Sequence, residues 1–356
     1  MRRIIITDEI DQMAKAYARK MSYVKERHGV KSRGENNLQE LIALFRNGYC
    51  HGPAEHGYIT YLQKIKEEYQ SLLTIHPKDF DEKSREFERI IEDDYLSNII
   101  TQTHDKNGRR LASEVNKPFY EMIVKEMRYD YVQGTVFPDF IRKLGIKSCV
   151  YCNAQYAIIT RNDESLFQLD HCYSKSLFPY FCVSFFNLQP CCGACNQRKS
   201  NTHMHSGRYN VSLWREKTDT DDSYFDFHIT DDSLSAYLAD PKDNDGLEID
   251  MVVRREDDAD LVSLCNTYNE KFRVKDVYFE HQDEIEEIIW KRYIYTASYF
   301  ESLKKLFIEN FEEMESEFKR LLLGTYIHPD DVYKRPLSKM KQDVARQLKM
   351  DLLLEE

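Results

Sequence analysis

The sequence predicts an α+β fold, in which a mainly helical chain carries one embedded strand, strand, loop and helix unit pinned by a metal. Three observations predict it. Apolar residues recur at three- and four-residue steps over most of the first 140 residues and again in the last third. Between 149 and about 200 the pattern becomes strand-like, and two CxxC pairs, Cys149/Cys152 and Cys192/Cys195, bracket that change. Each pair closes half of a tetrahedral Zn²⁺ shell, so the four thiolates together predict one structural zinc.

From the N-terminus, Ile10, Met13, Tyr17, Met21 and Val24 form the first helical stripe, and Leu38 to Phe45 and Tyr58 to Leu73 continue it, with breaks at Gly48, Gly52-Pro53 and near Pro77. Another helix follows Pro118 (Phe119, Met122, Ile123, Met127), and Phe137 to Leu144 leads into the first cysteine pair. Tyr156 to Thr160 and Leu166 to Leu169 read as a β-hairpin around the polar turn Arg161, Asn162, Asp163, Glu164. Cys172 to Pro190 reads as irregular because Pro179 and Pro190 interrupt it, and Gly193 onward starts a helix. Residues 218 to 260, rich in Asp and Glu, read as a solvated, loop-rich surface. Ile285, Ile289, Tyr293, Phe300, Leu303, Phe307, Phe311 and Phe318 extend an apolar stripe over about nine helical turns. Pro336, Leu337, Met340, Val344 and Leu348 make a short terminal amphipathic helix opened by proline. The expected organisation is a helical region at 1–140, a motif-bearing domain with the zinc site at 141–216, and an acidic segment followed by helices at 217–356.

A chain of 356 residues with 42% hydrophobic residues buries a sizeable core. No run of about 18 apolar residues occurs, and the start is too short and acidic for a signal peptide, so a cytoplasmic protein without a membrane span is expected. Nine cysteines in such a chain argue for reduced thiols available to a metal rather than a disulfide framework. Cys50, Cys172, Cys182, Cys191 and Cys265 are expected to be small buried apolar residues. The net charge of −11 excludes a protein that coats nucleic acid with its whole surface. Residues 141 to 216 nevertheless hold nine basic residues against four acidic ones, so the motif segment is a basic island.

Inside the zinc brackets, Asp170 and His171 end a predicted strand side by side, and their side chains leave on opposite faces if the strand reaches that far. Asn187 and Asn196 follow. Cleaving a phosphodiester needs an activated nucleophile, neutralised phosphate charge and a stabilised leaving oxygen. A neutral imidazole supplies the first and a divalent metal the other two. Asp170 and Asn196 offer hard oxygen ligands, which favour Mg²⁺ or Mn²⁺. Lys175, Arg198 and Lys199 stand near enough in sequence to contact phosphates.

The string LDHCYSKS … FFNLQPCCGACNQRKSN, with its upstream CxxC pair, resembles the zinc-supported HNH, or ββα-metal, endonucleases over about 149 to 201. The resemblance implies a zinc-stabilised HNH unit within 141–216, with Asp170 as first metal ligand, His171 as general base, Asn187 steadying the loop and orienting the histidine, and Asn196 as second metal ligand. The family has a histidine or asparagine at that last position. The layout is also similar to the HNH nuclease subunits of bacterial two-gene antiphage systems of the Septu type, through YCNAQ, DHCYSKSLFPY and the helical flanks. That likeness implies a DNA substrate, antiviral defence and an ATPase partner. The ATPase must be another chain, because no GxxxxGK[ST] loop occurs here. Two other readings compete: a zinc-stabilised binding module with an inactive nuclease site, and a nucleobase deaminase. The second fails, because no histidine is followed two residues later by glutamate.

Overall fold

The computed structural model describes residues 1–350 apart from 23, 27–28, 32, 163, 243–245 and 307–310. Strand β1 (Ile4–Ile5) leads into α1 (Asp8–Ser22), whose acidic first turn and basic last turn complement the helix dipole. Its apolar stripe buries Ile10, Ala14, Tyr17 and Met21. Helices α2 (Arg33–Arg46), α3 (Glu55–Glu67) and α4 (Tyr69–Leu73) form on the other expected stripes.

A three-stranded antiparallel sheet, of β2 (Cys50–His51), β3 (Ile99–His104) and β4 (Arg110–Pro118) in that order, interrupts the helical reading of the first 140 residues. Its long strand is mostly exposed and polar, so no apolar alternation announces it. Only the turn does: Asp105 accepts from the backbone N–H of Asn107 and Arg109, and Gly108 takes a positive φ of 74°.

Helices α5 (Phe119–Glu126) and α6 (Phe137–Leu144) lead to the first cysteine pair. The predicted hairpin forms in reduced extent, as β5 (Ile158–Ile159) against β6 (Ser165–Leu166); Asp163 in its turn lies outside the described residues. The strand pair that matters more is β7 (Gln168–His171) with β8 (Leu188–Cys191), in register Asp170 to Gln189 and His171 to Leu188. Strand β8 occupies the end of the stretch read as irregular. Pro190 fits because a two-stranded sheet has only edges, and its carbonyl accepts from Val150 N at 3.2 Å. Helix α7 (Gly193–Lys199) follows, and β9 (Trp214–Arg215) returns to pair in parallel with β1.

The acidic segment is more ordered than the sequence suggests. Strand β10 (Phe225–Ile229) pairs antiparallel with β11 (Ile249–Val253). Asp219, Asp221, Asp222 and Asp226 are ion-paired with Arg3, Arg255, Arg2 and Arg254, so part of the local negative charge is neutralised internally. Asp231, Asp232, Glu256 and Asp257 remain exposed.

The long C-terminal stripe is not one helix. After α8 (Ala259–Phe272) and α9 (Val274–Phe279) it divides into α10 (Gln282–Ile294), α11 (Ala297–Leu306) and α12 (Phe311–Leu323). Ile285 and Ile289 are buried and Tyr293 is exposed, while Phe307 lies outside the described residues. Helix α13 (Ser338–Gln347) is buried on all sides from Ser338 to Ala345, not amphipathic at the surface. That is possible because its charges are paired. Lys339 meets Asp343 at 2.6 Å and Asp226 at 3.3 Å, and Asp343 also accepts from Arg346 and from Phe227 N.

Asp343→Ala leaves the ammonium of Lys339 buried with a single, more distant partner, and should lower unfolding free energy by about 3 kcal/mol in urea titration; a loss under about 1 kcal/mol would show that Asp226 alone suffices.

The apolar core runs through all three expected segments. Tyr17 of α1 packs on Phe137, Phe140 and Phe185, and its hydroxyl donates to Val183 O at 2.6 Å. Tyr268 of α8 donates to Tyr151 O at 2.5 Å. No helix among the described residues is long and apolar enough to cross a membrane.

Candidate active site and metal centre

Cys149, Cys152, Cys192 and Cys195 converge with all four sulfurs within 4.8 Å of one another, and all four are buried. Tetrahedral zinc with Zn–S near 2.3 Å would need sulfurs about 3.8 Å apart, so the cluster could hold such a metal. The fold aims the thiols locally. Asn153 adopts φ 51°, its N–H bonds Cys149 O at 2.9 Å, and Cys192 caps α7 with its sulfur accepting from Cys195 N. Burial raises the Cys149 thiol well above its ordinary value. A metal would offset this by binding the thiolate, with release of its proton. Cys191 is outside the cluster, its sulfur against Gln168 O at 3.6 Å. It is buried, as are Cys50, Cys172, Cys182 and Cys265.

The end of β7 and the face of α7 border an open cleft of about 370 Å³ lined by Asp170, His171, Asn196, Lys175, Tyr129 and Gln168, among others. Both Asp170 and His171 reach it, although they take different partners. His171 is 3% exposed, and its Nε2 lies 2.9 Å from Cys182 O. A carbonyl can only accept, so Nε2 carries the proton, and Nδ1 keeps its lone pair with no hydrogen-bond partner among the described residues. Burial pushes the imidazole down to about 4, against the opposing pull of Asp170.

Because the folded value lies below the ordinary 6.5, the stability tied to neutral His171 is present above pH 6.5 and is lost as pH falls from 6.5 toward 4. An imidazole NMR titration should place the His171 midpoint near pH 4; a midpoint near 6.5 would contradict the buried, carbonyl-bonded ring.

Asp170 uses Oδ2 for protein contacts: the Tyr151 hydroxyl donates at 2.6 Å and Lys199 Nζ lies at 3.1 Å. Asn196 donates from Nδ2 to Gln168 Oε1 at 2.6 Å, which leaves its carbonyl oxygen as an acceptor. Asn187 is fully buried. Its side chain accepts from Tyr173 N at 2.7 Å and donates to Tyr173 O and Phe181 O, both at 3.0 Å, closing the loop between β7 and β8. It holds the loop, while Cys182 O rather than Asn187 engages the imidazole.

The three basic residues differ. Lys175 lies in the cleft with its ammonium 4.5 Å from the Tyr129 ring centroid. Arg198 is exposed and donates to Phe272 O at 3.1 Å. Lys199 is corrected: it is wholly buried, donating to His171 O at 2.7 Å and pairing with Asp170, so it cannot meet a phosphate from the surface. Sequence reasoning had no access to Tyr129, which comes from 40 residues before Leu169 and donates to its carbonyl. It also passed over Tyr151, although the residue sits inside the first CxxC pair. The four cysteines are the one cluster of three or more His, Cys, Asp or Glu ligands among the described residues.

Compared with family models, with curated proteins and with solved structures, the chain matches none.

Proposed function

We propose that the chain is a metal-dependent endonuclease of the HNH type that hydrolyses phosphodiester bonds of DNA. The observation that carries this reading is the meeting of Asp170, a neutral His171 and Asn196 in one cleft at the end of a strand pair followed by a helix. His171 Nδ1 takes the proton of an attacking water, and the Cys182 carbonyl holds the ring in the tautomer that leaves Nδ1 basic. Asp170 and the Asn196 carbonyl fit a hard cation such as Mg²⁺ or Mn²⁺, which when bound would neutralise phosphate charge and stabilise the leaving oxygen. Lys175, at the cleft wall, supplies positive charge to the phosphate. Zinc on the four cysteines has a structural task only.

The test is incubation of the purified chain with supercoiled plasmid and with RNA under Mg²⁺, Mn²⁺ or chelator. Nicking or linearisation of plasmid that requires the added metal is expected. Cleavage of neither substrate, with zinc in place, would overturn the reading.

One observation favours the alternative of a zinc-stabilised binding module with an inactive site: a buried ammonium already neutralises Asp170. Metal-independent plasmid binding without cleavage is its signature. Action within antiphage defence, in the cytoplasm and beside an ATPase, rests on the resemblance, and co-purification with an ATPase encoded nearby tests it.

A further inference from the structure

Tyr151 stands between the two cysteines of the first pair, 2% exposed, with its ring stacked on Phe272 at 4.5 Å and 15°. A zinc knuckle needs thiols and backbone, and nothing in it calls for a phenol. A buried phenol is costly unless its hydroxyl is paired. Here the pairing is determined atom by atom. The backbone N–H of Leu213 donates to one end of the Gln189 amide at 2.8 Å, which makes that end the oxygen and the other end the NH₂. That NH₂ lies 3.1 Å from the Tyr151 oxygen and must donate to it. The phenol proton is therefore directed to its remaining partner, Asp170 Oδ2, at 2.6 Å. Gln189 is the residue opposite Asp170 in the β7 and β8 register and is fully buried, so the chain of donors is built into the strand pair.

Lys199 reaches the same Oδ2. With that oxygen engaged twice, Asp170 is left with Oδ1 to offer to the cleft. We infer that Tyr151 is a positioning residue: it fixes the Asp170 carboxylate as a one-oxygen ligand and so makes the zinc knuckle an anchor for the affinity of the second, hard-cation site. This rests on the reading that Asp170 holds a divalent cation. Hydrogen-bond partners behind a metal ligand typically change metal affinity by about 10- to 100-fold when removed.

The experiment is Mn²⁺ titration of the zinc-loaded full chain, with free Mn²⁺ read by EPR, for wild type, Tyr151→Phe, Tyr268→Phe and Asp170→Asn. Tyr151→Phe keeps the ring on Phe272 and removes only the donor. Its Mn²⁺ dissociation constant should rise by about 10-fold or more, with one zinc per chain retained and cleavage largely recovered at saturating Mn²⁺. Tyr268→Phe removes one hydrogen bond to the Tyr151 carbonyl while the zinc thiols and the phenol donor to Asp170 stay in place, and should leave Mn²⁺ affinity near wild type.

Equal Mn²⁺ binding by wild type and Tyr151→Phe overturns the inference, as does an equal loss in Tyr268→Phe. A wild type that binds no Mn²⁺, or binds it no better than Asp170→Asn, overturns the cation site itself and the inference with it. If Tyr151→Phe does not fold, Gln189→Leu is measured instead. It keeps the phenol and removes the group that aims its proton, and should weaken Mn²⁺ by about threefold or more; wild-type affinity there overturns the inference.

Discussion

Replacing His171 by alanine should lower metal-dependent cleavage by about 10²-fold or more, with zinc content unchanged. The size follows from what the ring does alone in the cleft. Lys175 and Tyr129 also line the cleft beside Asp170 and His171, but an ammonium is a donor with no lone pair to offer water, and the Tyr129 hydroxyl donates to the Leu169 carbonyl while burial holds its phenol well above the ordinary range. The substitution also has a structural cost, because the Cys182 carbonyl loses its partner in a buried setting. That cost should be about 1–3 kcal/mol, visible as a lower melting temperature of a still-folded chain. The two effects separate in one set of assays run well below the melting transition: a small stability loss and a large rate loss. Added imidazole should restore part of the rate, since it returns a base to the space the ring vacated, and it would not repair a misfolded site. Cleavage unaltered in His171→Ala sinks the assignment of the general base. In the wild type, a ring held down to about 4 remains a base through mildly acidic conditions, so the rate contribution of His171 should fall only as pH approaches 4.

The candidate site was legible because its residues are close together in sequence. Asp170, His171 and Asn187 lie between two thiol pairs whose spacing has few other uses, and Asn196 directly follows the second pair. The helix starting at Gly193 was legible for the same reason, with Cys192 capping it. What escaped depends on partners far away in sequence. Lys199 looks like surface charge until Asp170 and the His171 carbonyl enclose it. Helix α13 looks amphipathic until Asp226, 113 residues before Lys339, supplies a partner for a buried ammonium. Strand β8 was hidden by Pro190, whose usual effect is to end a strand and which an edge tolerates. The β2, β3 and β4 sheet was hidden because its exposed strand carries no apolar period. The acidic segment was misjudged because the arginines that neutralise it are distant in sequence: Arg2 and Arg3 come from the N-terminal end, and Arg254 and Arg255 stand 28 and 34 residues after Asp226 and Asp221.

Cys149→Ser should abolish the folded, zinc-loaded state. The magnitude decides this: structural zinc contributes on the order of 10 kcal/mol or more to small zinc modules, comparable to the whole 5–15 kcal/mol of a typical protein. In this chain the knuckle is also a junction. Tyr268 and Tyr278 donate to the carbonyls of Tyr151 and Cys152, and Asn153 bonds Ser148, Val332 and the N–H of Lys339. Losing the metal therefore releases α8, α9 and the start of α13 together, as well as β8 and α7 through Cys192 and Cys195. Soluble yield, zinc content and near-UV circular dichroism should all collapse in Cys149→Ser, and a strong chelator should drive the wild type the same way. Cys191→Ser is the informative neighbour. Its sulfur is bonded to the Gln168 carbonyl and lies outside the four-cysteine cluster, so serine there should cost about 1–2 kcal/mol of burial and leave one zinc per chain. A stable, zinc-free and active Cys149→Ser chain, or loss of zinc from Cys191→Ser, would show that the four-cysteine cluster is not what holds the fold.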